Sequence, residues 1–351
     1  MDKARMKAMA DRVFRDVAGG MAAGLAWLGC ETGLFSVLAE RGPLGFAALA
    51  EASGLVPRYV EEWARGMVAA GYLDYDPAAE TVSLPAEHAW LLASDGTDHY
   101  MGGLFGMVPP LMAVAPRIRT AFREGGGVPF ADFPPECRHA IDLMNRGNYE
   151  HRLAGYWLQQ LPDTVARLEA GGRVLDLGCG NGQVVVALAR AFPASTIVGV
   201  DPDAASIAQA RAAVADAGVG ANTELVQATL DAVPLDPPYD LVTACDCLHD
   251  LPDPVGVLRD VRARLAPDGV LLAIEPRVAD RLEDNVNPLA AMFYGFSVFH
   301  CTTQSMAHDG AALGACLGPT RTRALFAEAG FSRVDEVDVR SPVNLFYAVR
   351  A

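Results

Sequence analysis

Residues Val174 to Gly182 read VLDLGCGNG and Val198 to Asp201 read VGVD, so Asp201 follows Asp176 by twenty-five positions. This pairing constrains the fold more than any other feature. An apolar run ending at Asp176 is the pattern of a buried parallel strand that stops at a carboxylate. Gly178, Gly180 and Gly182 let the backbone turn sharply and approach a ligand. A helix is expected from Gln183 to Phe192, its N-terminus aimed at whatever lies over the loop. A second apolar strand, Thr196 to Val200, runs into Asp201. A carboxylate there can accept hydrogen bonds from both hydroxyls of a ribose.

The glycine spacing is G-x-G-x-G, not the G-x-G-x-x-G that clamps a dinucleotide pyrophosphate, and no lysine follows as in a P-loop. Asp176, just before the glycines, would repel a phosphate and attract an amino group. The implied ligand is a nucleoside with a cationic, amino-acid tail, a description that S-adenosylmethionine (SAM) meets. The stretch resembles motif I of class I SAM-dependent methyltransferases. The resemblance implies that Asp176, Gly178, Cys179 and Gly180 hold the amino-acid end and Asp201 the ribose, with Asn181 and Pro202 completing the two loops. In that family a carboxylate after the third strand often takes the adenine amino group. The matching segment here is VQATLDAVP, which places Ala228 at that position, a departure from the pattern. The Thr229 hydroxyl, beside Leu230, or Asp231 further along is the available acceptor.

The rest of the C-terminal half alternates strand and helix from about residue 166. Strands are expected at 173–177, 196–200, 223–227, 241–245, 270–275, 333–339 and 344–349, with helices at 182–192, 203–217, 253–266 and 320–329. Crossover helices between five of the strands imply a parallel sheet, and the last two strands read as an antiparallel hairpin. The whole resembles the seven-stranded, Rossmann-like α/β sheet of class I methyltransferases over residues 166–351. Residues 277–318 form a long insertion carrying Asn285, Asn287, Met292, Tyr294, Phe296, His300, Gln304 and Cys316. Insertions of this length commonly wall a functional pocket.

Residues 1–95 read as helices followed by a hairpin. Helical periodicity covers Ala4–Ala18 and Ala22–Arg41, short helices flank Gly42-Pro43, and a helix starts near Pro57 and ends by Gly71. YLDYDPAAETVSLP alternates around a turn. This all-α/winged-helix pattern resembles the N-terminal dimerisation domain of small-molecule O-methyltransferases, where a helix ending in an apolar-x-x-x-G-Y-L run (here MVAAGYL) leads into the wing. A homodimer is the implied assembly. Val60, Trp63, Met67, Val68 and Leu73 are then expected to bury against a partner subunit or the second domain. Winged helices also bind DNA, but Glu61, Glu62, Asp74, Asp76 and Glu80 sit where phosphates would lie. The net charge of -15, from 28 basic against 43 acidic residues, argues the same way. Residues 96–165 are expected to be a helical connector that covers the pocket, with Tyr149 facing the substrate.

The fourth strand of the sheet runs into CDCLHDLPDP. Asp246 and Cys247 fall at the carboxyl edge, where open α/β sheets bind ligands. His249-Asp250 resembles the H-D of plant and bacterial O-methyltransferases, whose histidine is the general base, a role suited to a group that titrates near neutral pH. Glu275 could orient it, and His300 is the reserve base. Met292 and His300 join Tyr149 as expected acceptor contacts. Seven scattered cysteines form no disulfide or metal spacing, so no metal is expected. The charged N-terminus lacks the apolar core of a signal peptide, which makes the cytoplasm the default location and a membrane partner unexpected. The expected activity is methyl transfer from SAM to a small molecule, with a hydroxyl oxygen as first acceptor. Two alternatives remain: a winged-helix regulator that only senses SAM, and a methyltransferase fold put to N-, C- or S-methyl or non-methyl chemistry.

Overall fold

The computed structural model describes residues 1–233 and 237–351. The chain divides into two compact units, 1–110 with 139–148 and 111–138 with 149–351. Residues 96–165 are therefore shared between them.

In the first unit, α1 (Lys3–Glu31) opens with an N-cap: the Asp2 carboxylate accepts from the backbone N–H of Ala4 and Arg5. Periodicity suggested a break near Gly19-Gly20, but α1 runs through both. A glycine inside a helix costs only about 1 kcal/mol and blocks nothing. The break falls instead at Gly33, whose φ of +72° supplies the left-handed turn that starts α2 (Leu34–Arg41). Then follow α3 (Phe46–Ser53), α4 (Pro57–Ala69), and the antiparallel pair β1 (Asp74–Asp76) and β2 (Thr81–Ser83). The apolar face of α4 corrects one expectation. Val60, Trp63 and Met67 are buried with Phe35, Leu38 and Leu49 in this unit's own core, without a partner. Trp63 donates its indole N–H to the Leu25 carbonyl at 2.8 Å and meets Phe35 edge-on at 5.3 Å. Gly29 permits this packing, because a Cβ there would come within 2.7 Å of both rings.

The second unit holds a seven-stranded sheet. Its strands are β3 (Arg173–Leu177), β4 (Thr196–Asp201), β5 (Thr223–Gln227), β6 (Tyr239–Cys245), β7 (Leu265–Pro276), β8 (Arg333–Glu336) and β9 (Asn344–Arg350). The order is β5-β4-β3-β6-β7-β9-β8. The first five run parallel, while β9 is antiparallel to β7 and to β8. Central strands are apolar on both faces because helices cover both sides; β3 and β4 are almost wholly buried. The strand order reverses at β3, between β4 and β6, which places a crevice at the carboxyl ends of β3, β4 and β6. Among the described residues, no single helix is long and apolar enough to cross a membrane.

Replacing Trp63 by alanine removes a buried aromatic and one hydrogen bond, and should lower the stability of the first unit by about 3–5 kcal/mol. Denaturant unfolding followed by circular dichroism measures it. A loss under about 1 kcal/mol would show that this core can collapse around the gap.

Candidate functional site

The loop after β3 is built by three glycines with positive φ: +67° at Gly178, +49° at Gly180 and +80° at Gly182. Two of them face different constraints. A Cβ on Gly182 would lie 2.8 Å from that of Ala210, so close helix packing demands glycine. A Cβ on Gly180 would meet nothing within 4 Å, so that glycine serves the turn and leaves open space over the loop. The N–H groups of Gly178 and Cys179 both bond to the Val200 carbonyl, which ties the loop to the end of β4.

Asp201 completes this tie. Its Oδ2 accepts from the Gly180 N–H at 3.0 Å and its Oδ1 from the Asp203 N–H at 2.8 Å. A carboxylate has about four acceptor positions. Each oxygen thus keeps one for an outside donor. Burial pushes the Asp201 carboxyl above its usual range, and the two backbone N–H groups resist that shift. Asp176, at the end of β3, is almost completely enclosed. Its Oδ1 accepts from the Thr243 hydroxyl at 2.6 Å, while Oδ2 is buried with no hydrogen-bond partner. Burial raises its carboxyl from 3.8 to about 7, against the Thr243 hydrogen bond and with help from the charge of Asp201.

Neither sequence spacing nor composition pointed to Arg138. Its guanidinium makes a two-point contact with Asp203, at 2.9 and 3.1 Å, and lies 4.6 Å from the centre of the Phe130 ring. The Arg138 carbonyl also accepts from the Asn181 side chain at 3.3 Å. Asp203 caps the helix Ala204–Ala217 through the Ser206 N–H. Arg138 thereby clamps the segment 111–138 onto both loops of the crevice. Burial raises the Asp203 carboxyl, but Arg138 and Ser206 outweigh it and hold it below its usual value.

At the end of β6, Asp246 adopts φ +50°, a left-handed conformation uncommon outside glycine. Its side chain accepts from Asn344 at 2.8 Å, and burial raises its carboxyl to about 7. The Cys247 thiol points at the Leu177 carbonyl at 3.3 Å. His249 is buried, and its Nδ1 lies 2.6 Å from Glu275 Oε2; the other Glu275 oxygen accepts from the Leu248 N–H. Burial opposes charge on His249, yet Glu275 and Asp250 outweigh it and raise the imidazole well above its usual value. His300 follows the opposite course: burial lowers it, it sits edge-on to Phe130 and Phe133, and its Nε2 has no partner.

Comparisons with known proteins bear on the two domains and the fold. A methyltransferase-domain family model matches residues 175–271, and an Rv2258c-like winged HTH domain matches residues 7–94. Residues 175–271 are thus a methyltransferase domain, preceded by a winged HTH domain over residues 7–94. Trans-aconitate 2-methyltransferase of Azoarcus sp. (strain BH72) is 33% identical over 140 residues, 38% of this chain and 53% of that protein. The chain therefore spans about half the length of that relative. An O-methyltransferase family protein from Burkholderia thailandensis superposes with a TM-score of 0.66 at 19% identity, covering 100% of this chain and 98% of the other. Human N-acetylserotonin methyltransferase, solved in complex with SAM, superposes with a TM-score of 0.66 at 20% identity over 100% and 99% of the two chains. At such identities the superpositions show the fold.

Within this methyltransferase domain the crevice gathers Asp176, Gly178, Cys179, Gly180, Asn181, Asp201, Asp246 and Cys247 on the ends of β3, β4 and β6. Tyr149 opens a wide, π-type helical turn (Tyr149–Trp157) and is near enough to feel the charges of Asp246 and Asp176. Thr229 and Asp231 are exposed beyond β5, with Leu230 buried between them. Within the insertion, Asn285 and Asn287 are structural: Asn285 bridges the backbone of Ala279, and Asn287 caps the helix Pro288–Phe296 that carries Met292. Substituting Arg138 by methionine leaves the half-buried Asp203 without its counter-charge, and should cost about 1–3 kcal/mol in urea unfolding. An unchanged midpoint would mean that the clamp contributes nothing.

Proposed function

We propose that this chain transfers a methyl group from SAM to a small molecule, with a hydroxyl oxygen as the acceptor. The observation that carries the reading is the buried, unpartnered Oδ2 of Asp176 beside an open glycine turn. Burying an acceptor without a donor is costly. An ammonium group resolves that cost, whereas a phosphate would worsen it. Asp201, with one free acceptor position on each oxygen, suits a ribose diol. Asp176 with the Gly178–Gly180 turn would hold the amino-acid end, and Asp201 and Pro202 the ribose. Thr229 and Leu230 flank the place where adenine would lie. Asp246 and Cys247 border the crevice from β6. SAM, when bound, supplies an electrophilic methyl group on sulfur. The protein's own contribution is alignment of donor and acceptor and removal of the acceptor's proton.

For that proton the reading assigns His249 Nε2. Glu275 accepts from Nδ1–H, so the neutral ring carries its lone pair on Nε2; because Glu275 and Asp250 raise the imidazole well above its usual value, that proton-accepting form gains population, and turnover rises, as pH increases. Asp250 Oδ1, 3.6 Å from Nε2, would stabilise the imidazolium once formed. Tyr149, Met292 and His300 are the side chains proposed to touch the acceptor. Two further features support the finer parts of this reading. Both arginines of α4 are paired with glutamates, Arg58 with Glu62 and Arg65 with Glu61, which weakens the case for a nucleic-acid partner and for a DNA-binding regulator. On α1, Met6, Met9, Val13, Phe14, Val17 and Met21 are exposed, an apolar face suited to homodimer contact in the cytoplasm.

Incubating the protein with SAM and a pool of small hydroxylated metabolites should yield a product heavier by one methylene unit. His249→Ala should bind SAM with unchanged affinity and lose turnover by about 10²–10⁴-fold. Equal turnover in that variant would leave alignment alone as the mechanism and remove the proton-acceptor role.

A further inference from the structure

The insertion and the loop after β6 meet in a way that no sequence spacing reveals. Cys301 ends a short π-type turn, Ser297–Cys301, in the insertion, and His249-Asp250 lies just past β6. One ligand-capable atom from each of His249, Asp250 and Cys301 falls within 4.8 Å of the other two. His249 and Cys301 are buried, and Asp250 Oδ1 is enclosed with no hydrogen-bond partner.

The structure assigns to His249, Asp250 and Cys301 a binding site for a single thiophilic divalent cation, with Zn2+ the best chemical match. Three arguments converge. A nitrogen, a carboxylate oxygen and a sulfur are a zinc-type ligand set, whereas Mg2+ and Ca2+ take oxygen ligands in larger shells. His249 donates Nδ1–H to Glu275 at 2.6 Å, the carboxylate–histidine arrangement that orients metal-binding imidazoles and aims Nε2 at the cation. The cluster also concentrates acidic groups: Glu275 and Asp250 lie 2.6 and 3.6 Å from the two nitrogens of the His249 ring, and a cation there offsets their charge. Three protein ligands leave a fourth position open, as in zinc sites that admit an exogenous ligand. Metal on Nε2 occupies the lone pair that would take the acceptor's proton. A bound cation therefore blocks turnover while leaving the donor loops untouched. That last consequence rests on the reading of His249 given above; the binding site itself does not.

Co2+ titrated into the full-length protein, without SAM or acceptor, tests the site directly. The expected result is one Co2+ per chain, with a thiolate-to-cobalt charge-transfer band in the near ultraviolet that Zn2+ abolishes. Cys301→Ser should lose the band, Asp250→Asn should weaken binding at least about tenfold, and Glu275→Gln should weaken it about 10–100-fold. Cys137→Ser, in a thiol outside the cluster, should retain the band. Circular dichroism and binding of S-adenosylhomocysteine confirm that each variant is folded. No band at saturating Co2+, or a band that survives Cys301→Ser, overturns the site. Turnover of wild type unchanged at a Zn2+ concentration that saturates the site overturns the block, even where methyl transfer itself is confirmed.

Discussion

The arrangement of the second unit depends on one buried carboxylate. Asp176 ends a strand that is apolar on both faces, and a single hydroxyl, that of Thr243, satisfies half of it. The other oxygen has no protein partner. The fold tolerates this because burial raises the group to about 7, so that the neutral acid is accessible near physiological pH. The sign follows: with the folded-state value above the unfolded one, this contribution to stability is fully present below about pH 4 and is lost as pH rises through about 7. A ligand ammonium would reverse that loss. The glycine turn, Asp201 and the Arg138–Asp203 clamp frame the ends of β3 and β4 and offer the enclosed oxygen no hydrogen-bond donor among the described residues.

A second polar centre sits at the end of β6 and is assembled differently. Its parts come from β7 (Glu275), the loop after β6 (His249, Asp250) and the insertion (Cys301). Glu275 bonds both to the His249 ring and to the Leu248 backbone, so one carboxylate sets the imidazole's tautomer and the course of the loop that carries it. His249 and His300 are neighbours in space with opposite electrostatics: carboxylates raise the first and burial lowers the second. The His249 ring lies between Glu275 and Asp250, whereas the His300 ring is packed edge-on to Phe130 and Phe133.

Much of this was legible from residues alone. Strands β3, β4 and β6 follow from largely apolar runs of five to seven residues bounded by turn signals, and β3, β5 and the paired Asp176 and Asp201 fall where the pattern put them. The loop chemistry was readable because glycine and aspartate act locally. Three features were not. The continuity of α1 through Gly19-Gly20 depends on an energy of about 1 kcal/mol per glycine, too small to stop a long helix. Burial of α4's apolar face in its own unit is settled by packing, which periodicity does not specify: the pattern says that Val60, Trp63 and Met67 are covered, not by what. Arg138 and Cys301 lie on helical segments distant in sequence from their partners, and only tertiary structure brings them to Asp203 and His249.

If Asp176 takes a ligand ammonium as a carboxylate, it must shed its proton on binding. Calorimetric titration with SAM in buffers of different ionisation heat counts the protons released on binding. At about pH 6, below the value near 7 that burial imposes on Asp176, binding should release close to one proton per site. At about pH 8 the release should fall to nearly none, and Asp176→Asn should abolish it at both pH values. Tight binding with no proton release at the lower pH in the wild type would contradict the account, because Asp176 would then meet its ligand as a neutral acid or not at all.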